Sequence, residues 1–193
     1  MLRNTNTGYG AVAKWLHWVM VAWVATAYAI IEYGLAQHTG EGPIPHLNSH
    51  RAVGISSLIP LSIRIYWRLT NSVPEHPPGI AWWQTLASRI SHSLLYFFLV
   101  SMPIAGYLGS GGGINFGLFQ IPPFRLTSFG IWFMETFELT RQQFEAPFDF
   151  YHYHLVGPFL LWPLIVVHAS AALYHHFVEK DDVLKRMLPR GQS

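Results

Sequence analysis

Of the 193 residues, 51% are hydrophobic and only 11% carry a formal charge, against roughly 25% in an average soluble domain, a deficit that favours membrane over water as the solvent. The absence of cysteine excludes disulfides, thiolate metal sites, iron–sulfur clusters and thioether-attached cofactors together, and leaves eleven histidines as the main metal-binding capacity. Twelve Lys and Arg scattered along a chain of formal charge +2 make no dense basic stripe, so nucleic acid is set aside as a partner.

Length allows one ordinary domain, and residues 1–193 read as a single transmembrane unit without linkers. A span needs about 20 apolar residues to cross about 30 Å of hydrocarbon. Four stretches qualify. The first runs from Trp15 to about Tyr33, too long for the apolar region of a signal peptide. The second, about His50 to Trp67, is weaker because it holds Arg51, Ser56, Ser57, Pro60 and Arg64. Both arginines lie near its ends, where long side chains snorkel to the headgroups, and neighbouring helices can satisfy the carbonyl freed by Pro60. The third covers about 90–108, and the fourth about 151–178. The expected architecture is an all-α, four-helix transmembrane bundle.

Basic residues orient it. Arg3 and Lys14 precede the first span, Arg64, Arg68 and Arg89 flank the turn between the second and third, and Lys180, Lys185, Arg186 and Arg190 follow the fourth. The opposite side holds Arg51, Arg125 and Arg141 against Glu32, Glu41, Glu135, Glu138, Glu145 and Asp149. The positive-inside rule then puts both termini in the cytoplasm and leaves the outer face net acidic. Trp15, Trp18, Trp67, Trp82, Trp83 and Tyr151 fall near span ends, as amphipathic rings do. The connection from Gly109 to Phe150 is long and apolar. It opens with Gly109, Gly111, Gly112 and Gly113, continues through Phe116, Leu118, Phe119 and Ile121 to Pro122 and Pro123, and ends in a run from Phe129 to Leu139 with the pattern of a short interfacial helix. It reads as an ordered lid on the outer ends of the bundle, its glycines serving either a turn or a close backbone approach.

A histidine at membrane depth is costly without a partner, so it marks function by default. His17 lies one turn into the first span, His50 opens the second, and His154 and His168 both belong to the fourth. At 100° per residue the fourteen residues between His154 and His168 bring both rings to one helix face, about 21 Å apart along the axis. Depth then pairs His50 with His154 near the outer surface. His168 has two candidate partners near the inner surface, His17 and His92, which depth alone does not separate. Two facing imidazoles on different helices are what a bis-histidine b-type haem requires, whereas zinc usually takes three or four ligands.

These residues resemble the bacterial cytochrome b561 family and the related cytochrome b subunits of membrane hydrogenases and formate dehydrogenases. The resemblance covers nearly the whole chain. It rests on Trp15-Leu-His-Trp, on His50-Arg-Ala-Val-Gly-Ile, on Ser91-His-Ser-Leu-Leu-Tyr and on His154 and His168 at fourteen-residue spacing. Ala171-Ala-Leu-Tyr-His-His, Lys185-Arg-Met-Leu-Pro-Arg and the outer Phe116-Gly-Leu-Phe and Pro122-Pro add to it. It implies two non-covalent haem b groups in a bacterial inner membrane, ligated by His17, His50, His154 and His168, and it ranks His17 above His92. It further suggests His175 as a quinone or proton-transfer residue; His92, by its position at the cytoplasmic start of the third span, is a second quinone candidate or an interfacial hydrogen-bonding residue.

Arg51 follows a proposed ligand and suits an outer haem propionate, since guanidinium matches carboxylate bidentately. Arg64 and Arg68, one turn apart, read as topology residues, and His38, His46, His76 and His152 as solvated residues in or beside loops. The function expected is electron transfer across the membrane between ubiquinone or menaquinone and a periplasmic donor or acceptor, either superoxide or a protein. An anionic substrate favours a positive funnel, and the acidic outer loops weigh against superoxide steering unless Arg51 and Arg125 form a local positive mouth. Two rivals stand beside this: a haem-bearing membrane anchor for a separate periplasmic oxidoreductase, and a histidine-based metal or proton transporter.

Overall fold

The computed structural model describes residues 1–75 and 79–189. The expectations for His76 and Arg190 fall outside them. Among the described residues three helices are long and apolar enough to cross a membrane. The first is α1 (Ala11–Gln37) and the second α4 (Trp82–Gly109). The third, Arg141–Glu179, is a continuous helical run made of α6 (Arg141–Asp149), a π-helical stretch (Phe150–Leu161), α7 (Trp162–Tyr174) and a π-helical end (His175–Glu179).

The expected second span is not one helix. It divides into α2 (Leu47–Ser56) and α3 (Leu58–Thr70), with Ser57 between them. The hydroxyls of Ser56 and Ser57 donate to Val53 O and Gly54 O, at 2.9 and 2.6 Å. Pro60 follows three residues later, with no N–H to continue the ladder. Ser57 keeps helical angles and its N–H still bonds Val53 O, so the interruption is one residue long; Pro60, which cannot donate to Ser56 O, and the back-bonding serines both contribute to it.

The long connection is ordered, as expected, but is more than a lid helix. A two-stranded antiparallel hairpin, β1 (Ile114–Asn115) with β2 (Gln120–Ile121), turns at Gly117, whose φ of 84° suits glycine. A 3₁₀ turn (Phe124–Leu126) leads into α5 (Ser128–Thr136), which covers most of the run expected to be helical and is capped by Thr127 through Gly130 N–H. The fourth apolar segment starts earlier than expected, because Thr140 and Gln143 form a capping box that opens α6 ten residues ahead of Tyr151.

The chain packs as two compact units. Unit 1 comprises Met1–Val21, Ile59–Phe98 and Leu161–Ser193. Its N-terminal segment is tied down by polar contacts: Asn4 Nδ2 donates to Ser72 O, Glu75 N–H to Asn6 O, Arg186 Nη1 to Glu75 O and Trp18 Nε1 to Met187 O. Near its C-terminus the hydrogen bond from Lys185 holds the Asp182 carboxyl below the usual carboxylate range. Unit 2 comprises Ala22–Leu58 and Leu99–Leu160. Its loops pack through an aromatic cluster in which Phe124 and Phe144 stack at 5.1 Å and Phe133 lies 6.0 Å from Phe144.

Candidate haem-ligand sites

In unit 2, α2 presents His50 and the π-helical stretch presents His152. Their ring centroids are 6.0 Å apart. His50 Nδ1 lies 2.8 Å from Ala27 O and His152 Nδ1 lies 2.9 Å from Met102 O. A carbonyl only accepts, so each Nδ1 carries the proton and donates, and each Nε2 keeps its lone pair. That is the tautomer of a metal-ligating histidine, with the backbone bond fixing the ring. Two imidazoles on opposite sides of one metal ion, each bound at about 2 Å, hold their ring centres about 6 Å apart. With ring planes 77° apart, the ring spacing and the two tautomers are those a bis-histidine cofactor would use here.

Two glycines shape this site. Gly106 on α4 abuts the His152 ring, so that a Cβ there would lie 2.8 Å from Cε1. Gly54 lies one turn beyond His50, and a Cβ there would meet nothing within 4 Å, which leaves open space on that face of α2.

His154, expected as the partner of His50, is not brought to it. It is exposed and lies against Phe150 at 5.9 Å and Tyr153 at 4.8 Å. The expectation assumed 100° per residue throughout. A π-helical stretch bonds i to i+5 and turns through less per residue, so the phase carried back from His168 lands elsewhere. His152, read as a solvated loop residue, is instead part-buried and bonded to Met102. The signal that would have found it is Pro158, whose ring would clash with the carbonyl of His154 in an α-helix.

Arg51 also belongs to unit 2. Rather than snorkelling, its Nη2 donates to Ser110 O at 3.1 Å, Gly112 packs against its Nη1, and its buried Nε has no hydrogen-bond partner among the described residues. The glycines after α4 thus accommodate side chains of the chain itself, with Gly111 against Arg141 and Glu145. Arg125 pairs with Glu145 at 3.2 Å, and Glu145 also takes Arg141 at 2.8 Å.

In unit 1 three histidines gather. His168 lies 6.3 Å from His17 and 5.2 Å from His92 between ring centroids. The same arithmetic of about 6 Å fits His17 with His168 better than His92 with His168. Arg64 does not snorkel either. It donates to Ala13 O at 3.2 Å and to His17 Nδ1 at 3.3 Å, and as guanidinium has only donors, His17 Nδ1 is the acceptor. His92 Nδ1 lies 3.3 Å from Ser88 Oγ. Further along, His175 Nδ1 bonds Asp181 Oδ2 at 2.5 Å, while His176 Nδ1 is buried without a hydrogen-bond partner among the described residues. Of the histidines expected in loops, His46 is exposed and His38 half-exposed.

Comparison with known proteins agrees with the resemblance. The family model for prokaryotic cytochrome b561 matches residues 8–190. Among curated proteins, cytochrome b561 homolog 2 of Escherichia coli K12 is 30% identical, covering 98% of this chain and 96% of that protein. Cytochrome b561 homolog 1 of the same organism is 29% identical over 91% and 94%. A probable superoxide oxidase CybB of Yersinia pestis is 26% identical over 96% and 98%.

Proposed function

The chain belongs to the prokaryotic cytochrome b561 family, and from that premise we propose a four-span di-haem cytochrome of the bacterial inner membrane. It transfers electrons between the quinone pool and a periplasmic partner, with both termini cytoplasmic. The family makes it a b-type haem protein of the membrane. The match over residues 8–190 supports a single domain. The observation that carries the ligand reading is the His50 and His152 pair, each Nδ1 committed to a backbone carbonyl and each Nε2 free.

Haem, when bound, supplies the one-electron redox chemistry. The protein supplies ligation, orientation and charge. Geometry supports His50 with His152 in unit 2, while the fourteen-residue spacing supports His50 with His154. We take the first, and the test below separates them. In unit 1 we assign His17 and His168 on ring spacing and the family resemblance, an assignment that requires the Arg64 contact to His17 Nδ1 to give way so that Nε2 can bind; His92, whose Nδ1 can donate to Ser88 Oγ, is the alternative to His17. Arg51 retains a buried N–H donor suited to a propionate. His175, bonded to Asp181, is the candidate for holding and passing a quinone proton, with His92 the second quinone residue.

For the outer partner, the name of the Yersinia relative favours superoxide. The acidic loops weigh against it, and Arg125 is already neutralised by Glu145. The anchor reading is favoured by exposed apolar side chains on the unit 2 loops, Leu118 at 98% and Trp132 at 55%. Full turnover by the isolated chain would count against it.

The test is haem stoichiometry by pyridine haemochromogen assay on the detergent-purified chain, where bis-histidine ligation at two sites predicts about two b haems. His50→Ala and His152→Ala each lower that to about one, and His154→Ala leaves it at about two. The reverse result for His152 and His154 would restore the spacing assignment. A colourless protein, expressed with adequate haem, would sink the cytochrome reading and return the chain to the transporter class.

A further inference from the structure

Arg64 and Arg68 lie one turn apart on α3, and both direct their guanidinium groups at one ring. Their Cζ atoms are 5.9 and 5.7 Å from the centroid of Tyr96 on α4. Among the described residues neither arginine has a carboxylate partner. Between them on the helix is Trp67, whose indole Nε1–H is buried and has no hydrogen-bond partner among the described residues. All four residues line one narrow, partly open cavity of about 20 Å³ in unit 1, with Asn4 and Tyr9 of the N-terminal segment also in its lining.

Two converging like charges repel, and Tyr96 offsets that only in part, since a cation over an aromatic face gains about 0.5–2 kcal/mol. A buried donor left without an acceptor adds a cost of about 1–3 kcal/mol. The cavity has room for one water-sized group, and two cations and an unsatisfied N–H around it become favourable together if one oxygen of an anion at its mouth reaches in. Nothing in the topology reading of these arginines requires their guanidinium groups to converge or Trp67 to be left unbonded.

We propose that Arg64, Arg68 and Trp67 form a binding site for the oxyanion group of a membrane amphiphile. Two sources carry that chemistry: the phosphate of an anionic phospholipid and the propionate of haem held in unit 1. The arginines take the charge and the indole N–H supplies an oriented hydrogen bond. Only the propionate source rests on the haem reading.

The experiment uses the full chain in nanodiscs of phosphatidylcholine with increasing phosphatidylglycerol. For a lipid phosphate, the wild-type melting temperature rises saturably with phosphatidylglycerol, and Arg68→Gln and Trp67→Phe each shift the midpoint of that rise at least tenfold. For a propionate, the melting temperature ignores the lipid. Arg68→Gln then leaves a carboxylate uncompensated near the haem, lowering one midpoint potential by about 59 mV, a tenfold change in a one-electron equilibrium. Arg68→Lys, which keeps the charge, restores most of either effect, and it stands in should the glutamine variant fail to fold. The proposal is overturned if wild type is indifferent to phosphatidylglycerol and both variants, folded and haem-loaded, keep wild-type potentials. A colourless protein that still responds to phosphatidylglycerol would defeat the haem reading and leave this site standing.

Discussion

One methyl group separates the two glycines that border the His50 and His152 pair. At Gly54 a Cβ meets open space, so Gly54→Ala should stabilise α2 by about 0.5–1 kcal/mol, the usual gain for alanine in a helix interior. Gly54→Leu goes further and fills that space beside His50, so it should expel a haem without unfolding the chain. At Gly106 a Cβ would sit 2.8 Å from the His152 ring. The imidazole cannot slide away cheaply while its Nδ1 is bonded to Met102 O, so Gly106→Ala should cost both thermal stability and one haem. Melting curves with haem counts check all three variants. Equal behaviour of Gly54→Ala and Gly106→Ala would show that the space around the pair is not what these contacts describe. His50 stood out in the sequence because burial penalises a histidine inside an apolar run, whereas His152 read as a solvated residue beside a loop. What could not be read was which of two histidines, two positions apart, faces inward.

That choice belongs to the helix, and its cause is a proline. In an α-helix the ring of Pro158 would collide with the carbonyl of His154, and Pro163 removes a further N–H five residues on. The segment avoids the clash by widening to a π-helical ladder over Phe150–Leu161, which turns His152 towards Met102 and His50. Pro158→Ala should let the stretch tighten towards 3.6 residues per turn. The fourteen-residue phase argument would then apply, and haem retention should come to depend on His154 rather than His152. The check is haem content of His152→Ala and His154→Ala in the Pro158→Ala background, set against the same substitutions alone. An unchanged dependence on His152 would mean that packing, not the proline, sets the winding. The same physics limited the reading of the second span: hydropathy averages over a window and does not see Ser56 and Ser57 bonding back into the turn before them. Long, weakly polar runs such as α1 and α4 were legible because composition alone specifies them.

Whether α2 and α3 together cross the membrane is decided by parity over the whole chain. With three crossings the two ends lie on opposite faces; with four they share one. Arg3 and Lys14 near the first end, Lys180, Lys185 and Arg186 near the other, and Arg64, Arg68 and Arg89 between argue for a shared, cytoplasmic face. Ten residues of α2, thirteen of α3 and Ser57 have a helical contour of about 36 Å, enough for about 30 Å of hydrocarbon. Their charges do not forbid it, because Arg51 and Arg64 spend donors on Ser110 O and Ala13 O of the chain itself, and polar groups satisfied inside protein are tolerated at depth. The chain has no cysteine, so single cysteines report sidedness without background. In intact spheroplasts a membrane-impermeant maleimide should label Leu118→Cys at the hairpin tip, and should reach Val73→Cys and Lys185→Cys only after permeabilisation. Labelling of Lys185→Cys from outside would instead give three crossings and make α2 and α3 interfacial. His50 would then lie at the headgroups, and both the outer haem site and electron transfer across the full membrane would fall with it.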